Sequence, residues 1–250
     1  MGKLQGQVAI IVGASSGMGR AAALAFAGEG AKVAVAARRQ AELDALGAEI
    51  TKAGGQVLSR TVDVAKRPDV DAVVQAALER FGRVDVMVNC AGVNTQNRKL
   101  EVLDHAGWDR IIAINLTGAL HCTQAVLPRM RAQKGGLIIH VASISGLWGD
   151  FSGAAYQASK HGMVGLANAT RMEERLNGIR VTVIYPGLCD TPILSTRAVP
   201  DSPEKLAKMM RPEDIAETCV FAASLPPRTY ISQIVMMPGA LQCAGNAVGY

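Results

Sequence analysis

The chain predicts an α/β protein with a doubly wound, mostly seven-stranded parallel sheet and helices on both faces. Three observations carry that expectation. Seven short runs rich in β-branched residues alternate with longer Ala- and Leu-rich stretches from end to end. Several runs are apolar on both faces, as a strand covered by helices on either side must be. A glycine-rich turn separates the first run from the first helical stretch.

The first strand is V-A-I-I-V (8–12), followed by the turn G-A-S-S-G-M-G. The helical stretch R-A-A-A-L-A-F-A-G-E-G leads to K-V-A-V-A (32–36). A second helical stretch, E-L-D-A-L-G-A-E-I-T-K-A-G-G, ends in a glycine stop signal and precedes V-L-S-R-T-V (57–62). The remaining strands are V-D-V-M-V (84–88), G-L-I-I-H-V-A (136–142), V-T-V-I-Y (181–185) and I-V-M-M (234–237). No linker or low-complexity stretch interrupts them, so one domain over residues 1–250 is expected. In such a sheet ligands bind beyond the carboxyl ends of the strands, which makes the residues after each strand the candidates.

Composition excludes several functions. With 49% hydrophobic and 19% charged residues the chain is globular and not disordered. The net charge of +5 is spread thinly, without a basic stripe interleaved with aromatics, so no nucleic-acid partner is expected. Five cysteines, odd in number and without a C-x-x-C pair, read as reduced thiols of a cytosolic protein. The four histidines lack ligand spacing, and no metal site is expected. No apolar run approaches the roughly 18 residues of a membrane span. The start, M-G-K-L-Q-G, reads as neither a signal peptide nor an acylation site. Cytoplasmic localisation without a membrane partner is therefore the expectation.

Gly13, Ser15, Ser16, Gly17, Met18 and Gly19 form the turn after the first strand. Glycines allow close backbone approach, and the positive end of the following helix suits a pyrophosphate. A plain strand-to-helix turn is the competing reading of the glycines alone. Residues 13–17 also match the G-x-S-x-G nucleophile elbow, with Ser15 as nucleophile. That elbow normally follows several strands, and here only seven residues precede the first. After the second strand, Ala36 and Ala37 stand where a carboxylate would bind an adenosine ribose, and Arg38 and Arg39 follow. Guanidinium forks without the acid favour a 2′-phosphate, hence NADP(H) over NAD(H).

Farther on, Y-Q-A-S-K places Tyr156 and Lys160 on one helix face. Taken alone the pair reads equally as a solvated surface. A phenol titrates near ~10 and is a weak base at neutral pH, and a nearby ammonium would lower that value.

In this order and spacing the motifs resemble the short-chain dehydrogenase/reductase family, in its branch of about 250 residues, along essentially the whole chain. The pattern runs from G-x-x-x-G-x-G at 13–19, with Val12 in place of the usual Thr, to Asp63-Val64 after the third strand. It continues through Asn89-Cys90-Ala91-Gly92, where Cys90 departs from the family's second Asn, to Asn115, Ser143, Tyr156 and Lys160. Pro186-Gly187 and Thr191-Pro192 complete it.

The resemblance implies a Rossmann-type fold and an oxidoreductase that interconverts a ketone or aldehyde and an alcohol. It implies that Tyr156 is the general acid/base, Ser143 orients the reacting oxygen, Lys160 also binds the nicotinamide ribose, and Asn115 helps hold a water. By the same resemblance Asp63 and Val64 contact adenine, Asn89, Ala91 and Gly92 belong to the cofactor site, and Pro186, Gly187 and Thr191 hold its nicotinamide end. Alternatives are an NAD-linked alcohol dehydrogenase of the same family and a non-catalytic dinucleotide sensor.

The substrate pocket is expected from residues 93–98, 144–151 and a loop at about 188–210. Trp148, Phe151, Ile193, Leu194, Met209 and Met210 suggest an apolar lining, while Arg197 and Lys205 could face an acidic substrate or solvent. The uncharged stretch 231–250 is expected to be buried in a homo-oligomer, a tetramer or dimer, although Met237-Pro238-Gly239 replaces the family's D-G-G.

Overall fold

In the computed structural model, which describes residues 2–241, β1 (Val8–Val12) is buried at every position. Ala9 and Ile11 enter one apolar core while Ile10 and Val12 enter another. Alternate side chains of a strand point to opposite faces, so a strand feeding two cores must be apolar throughout.

After β1 come α1 (Gly17–Gly28), β2 (Lys32–Ala37), α2 (Gln40–Lys52), β3 (Val57–Thr61), α3 (Arg67–Phe81) and β4 (Val86–Asn89). A helical run follows, consisting of α4 (His105–Ile112), a π-helical turn at Ala113–Thr117, and α5 (Gly118–Gln133). The chain continues with β5 (Gly136–Val141), α6 (Ala154–Glu174), β6 (Ile179–Pro186), the short α7 (Pro203–Leu206), α8 (Pro212–Ser224) and β7 (Gln233–Met236).

All seven strands form one parallel sheet in the order β3-β2-β1-β4-β5-β6-β7. The expected fold class holds, with every pairing parallel. Strand ends differ modestly from the expected spans: β4 is Val86–Asn89, with the Asp85 backbone still bonding Val8 and Leu137 just before it. Leu43, Leu46 and Ile50 of α2 and Ile215, Ala216 and Cys219 of α8 pack with α1 against one face. Val70, Val73 and Val74 of α3, Val126 and Met130 of α5, and Met163 and Ala167 of α6 cover the other.

The order reverses between β1 and β4, which opens a crevice at their carboxyl ends. The run His105–Gln133 is long and apolar enough to cross a membrane by length and composition, contrary to the reading of the sequence. Here that apolarity has a use within the fold, since Ala119, Cys122, Val126 and Met130 face the second core. Of the stretch 231–250, residues 242–250 lie outside the described residues, and the part before them is largely half-buried or exposed.

Candidate active site

A cleft of about 370 Å³ lies at the carboxyl ends of the central strands. It is lined by Gly13, Ser15, Ser16, Gly17, Met18 and Gly19, by Arg38 and Arg39, by Asp63 and Val64, and by Ala91 and Gly92. Tyr156, Lys160 and Thr191 close its inner end. A smaller cavity of about 120 Å³ adjoins it and shares Tyr156 and Ala142 with it. Ser143, Pro186 and Gly187 face this inner cavity.

The glycine turn works differently from the simple expectation. Gly13 has φ +77°, and a Cβ there would lie 2.7 Å from the backbone of Cys90 and Ala91. A Cβ on Gly19 would lie 2.3 Å from the Gly13 carbonyl oxygen. These two glycines therefore let the turns after β1 and β4 pack on the chain itself, and only thereby shape the cleft. The first turn of α1 has no capping side chain and no acidic residue, which leaves its amides suited to an anion.

Arg39 donates to the Ser15 hydroxyl at 3.1 Å and pairs with Glu42 at 2.9 Å. No histidine bonds Ser15 among the described residues, so the nucleophile-elbow alternative lacks its base. Arg38 is exposed and makes no ion pair or side-chain hydrogen bond among the described residues. Both lie at the end of β2, where the chain has Ala37 in place of an acid. The amides, the free guanidinium and the buried ammonium described next together fit a phosphorylated dinucleotide.

Lys160 is only 3% exposed, and its ammonium donates one hydrogen bond, to the Val141 carbonyl at 3.1 Å. Burial lowers its pKa to about 8, and the Cys90 side chain opposes that shift. It lies 5.5 Å from the centroid of the Tyr156 ring. The expected acidification of Tyr156 by this ammonium is not what the surroundings produce. Burial pushes the phenol up to about 12, the Ser143 hydrogen bond pulls it down, Asp150 raises it again, and Arg98 lowers it. Desolvation is the largest of these causes, acting on a phenol that is half-buried where it lines both cavities.

Asn89 and Asn115 line neither cavity. Asn89 accepts from the Ala91 amide at 3.1 Å and faces His140 at 3.4 Å. Asn115, within the π-helical turn, accepts from the Val93 amide at 2.8 Å. It also donates to the Val93 carbonyl at 3.0 Å and to Ser159 at 3.1 Å. Both asparagines position the turn after β4.

The inner cavity differs most from expectation. Ile193 and Leu194 line it, but Trp148 and Phe151 are exposed, and Met209 and Met210 are buried elsewhere. Lys205 turns to Asp201 at 2.9 Å. Arg98, Ser145, Asp150, Ser152 and Arg197 supply a polar lining instead. Arg98 and Asp150 fall within the expected segments 93–98 and 144–151, but the expected lining there is apolar. They arrive through loops, with Gly153 at φ +96° because a Cβ would meet the Arg98 backbone at 2.9 Å.

A parallel sheet with a glycine turn, a dinucleotide-sized cleft and a Ser-Tyr-Lys constellation at its inner end defines a class of nicotinamide-dependent oxidoreductases. The chain belongs to the short chain dehydrogenase family, whose model matches residues 7–200. It is 33% identical over 246 residues to the 3-oxoacyl-(acyl-carrier-protein) reductase FabG of Thermotoga maritima, covering 96% of this chain and 99% of the relative. Among solved structures, levodione reductase superposes with TM-score 0.87 at 30% identity, over 95% of this chain and 98% of the other. An actinorhodin polyketide ketoreductase with NADPH superposes with TM-score 0.86 at 31% identity, over 96% and 98%.

Proposed function

We propose that the protein is a cytoplasmic, NADP(H)-dependent carbonyl reductase that works as a homo-oligomer. The observation that carries this reading is the meeting of Ser143, Tyr156 and Lys160 where the long cleft joins the inner cavity. When bound, a nicotinamide dinucleotide supplies the hydride in reduction and takes it in oxidation. The amides of the first turn of α1 would hold its pyrophosphate, Arg38 its 2′-phosphate, and Lys160 its nicotinamide ribose.

Ser143 and Tyr156 both present hydroxyls to a carbonyl oxygen in the inner cavity. With its pKa at about 12, Tyr156 stays neutral at pH 7 and carries the proton that a developing alkoxide needs. Lys160, at about 8, remains largely an ammonium at the same pH and keeps the region positive. Free thiols at Cys90, Cys122, Cys189 and Cys219 suit a reducing compartment.

The experiment is a panel of ketones, aldehydes and 3-oxoacyl thioesters followed at the nicotinamide absorbance. NADPH should outperform NADH in kcat/KM. Tyr156→Phe should lower kcat by about 10²-fold or more, while dinucleotide binding by fluorescence titration changes severalfold at most. Turnover surviving in that variant would remove Tyr156 from the chemistry.

A further inference from the structure

We infer that the inner cavity is an anion receptor, and that the substrate is a short carbonyl compound bearing a carboxylate held by Arg98 with Arg197. This rests on the oxidoreductase reading above and names its substrate class. The cavity is about 120 Å³, below the roughly 300–1,000 Å³ of sites for drug-sized ligands. It holds the Ser143 and Tyr156 hydroxyls and two guanidiniums together.

Arg98 is half-buried, yet among the described residues its hydrogen-bond partners are all neutral. It donates to the Thr95 carbonyl at 2.8 Å, and to the Thr196 carbonyl at 2.7 Å and hydroxyl at 2.8 Å. No carboxylate pairs with it among the described residues. Arg197 pairs with Asp201, but that carboxylate also takes Lys205 at 2.9 Å, so two cations share one acid.

Asp150 is the one acid lining the cavity. Its carboxylate is already engaged by the Ser145 hydroxyl at 2.5 Å and by the Ser152 amide at 2.9 Å and hydroxyl. With Asp201 behind Arg197 and shared with Lys205, three cations stand against two acids, Asp150 and Asp201, and the surroundings of the cavity stay net positive. Burial lowers the Arg98 pKa and the neighbouring Arg197 charge lowers it further, while Tyr156 and Asp150 act in the opposite direction without reversing the shift. Such an arrangement costs stability in the free protein, and a carboxylate bridging the two would offset it. Arg98 Nε and Nη2 are taken by Thr95 and Thr196, and Nη1, without a hydrogen bond among the described residues, is the nitrogen left to donate to a carboxylate.

The test compares 4-oxopentanoate with its methyl ester, which has the same chain without the charge. In the wild-type enzyme kcat/KM for the acid should exceed that for the ester at least tenfold at low ionic strength, and Arg98→Gln should bring the ratio near one. Calorimetric binding of the two compounds to the full chain should show the same preference, independently of turnover. The wild-type comparison needs no variant, so misfolding of Arg98→Gln would not rescue the idea. Equal handling of acid and ester by the wild type, or a preference undiminished in a folded Arg98→Gln, overturns it. Absence of turnover with every carbonyl would instead overturn the oxidoreductase reading, while the calorimetric ratio still decides the anion receptor.

Discussion

His140, in the middle strand pair beside the site, is fully buried and faces Asn89 and Thr123. Asn89 uses its oxygen on the Ala91 amide, so its nitrogen must face His140 Nδ1 as donor. Nδ1 is then an acceptor and Nε2 carries the proton toward Thr123, whose own hydroxyl donates to the Ala119 carbonyl. A second proton on Nδ1 would confront that donor. Burial, then the charges of Lys160 and Arg171, hold the imidazole down at about 4. Between pH 6.5 and 4 the unfolded chain takes up a proton here that the folded chain refuses, so stability falls as pH drops through that window. The loss is on the order of 3 kcal/mol. Urea unfolding at pH 7 and pH 4 should show His140→Gln losing less stability than the wild type by about that amount. Parallel losses would mean the histidine is protonated in the fold. This residue was invisible as a site-builder in the sequence, where it reads as one polar position in an apolar strand, whereas Tyr156 and Lys160 were legible through helical spacing.

At the scale of elements, the turn after β1 and the turn after β4 are pressed together through Gly13. Gly13→Ala combines a positive φ with a Cβ inside the backbone of Cys90 and Ala91, and should cost about 1–3 kcal/mol. The urea midpoint should fall, and the KM for dinucleotide should rise because both turns line the cleft. A midpoint equal to wild type would show that the contact is not close in solution. The motif was readable at the level of glycine spacing, but the partner of each glycine was not. That partner is a turn some 75 residues distant in sequence, brought alongside by the parallel pairing of β1 with β4. The same holds for Asn115, which the resemblance marked as a site residue while its π-helical turn and its bonds to Val93 came only with the fold.

Across the whole molecule the two edges of the sheet differ. β3 ends in exposed Arg60 and Thr61, polar residues that discourage strand addition. Among the described residues β7 pairs with β6 alone, and it carries half-buried Ile234 and Met236 beside Val235, which is 46% exposed. Nearby elements leave Met172, Leu176, Phe221 and Tyr230 open as well. Apolar exposure of that extent around an unpaired edge is unusual for a monomer. Light scattering at micromolar concentration should therefore give a mass above that of one chain, and a monomer there would count against the homo-oligomer.

The amino-acid order by itself determined the alternation of strands and helices, the double burial of the strands, and the positions of Ser143, Tyr156 and Lys160. Each of these depends on spacing along the chain, through the two-residue period of a strand or the turn of a helix. Tertiary structure alone decided the charge of the inner cavity, because Arg98, Asp150 and Arg197 come from three separate loops. It also decided the titration of the phenol, because burial depends on what packs around a group, and here desolvation is the largest cause, followed by Ser143, Asp150 and Arg98.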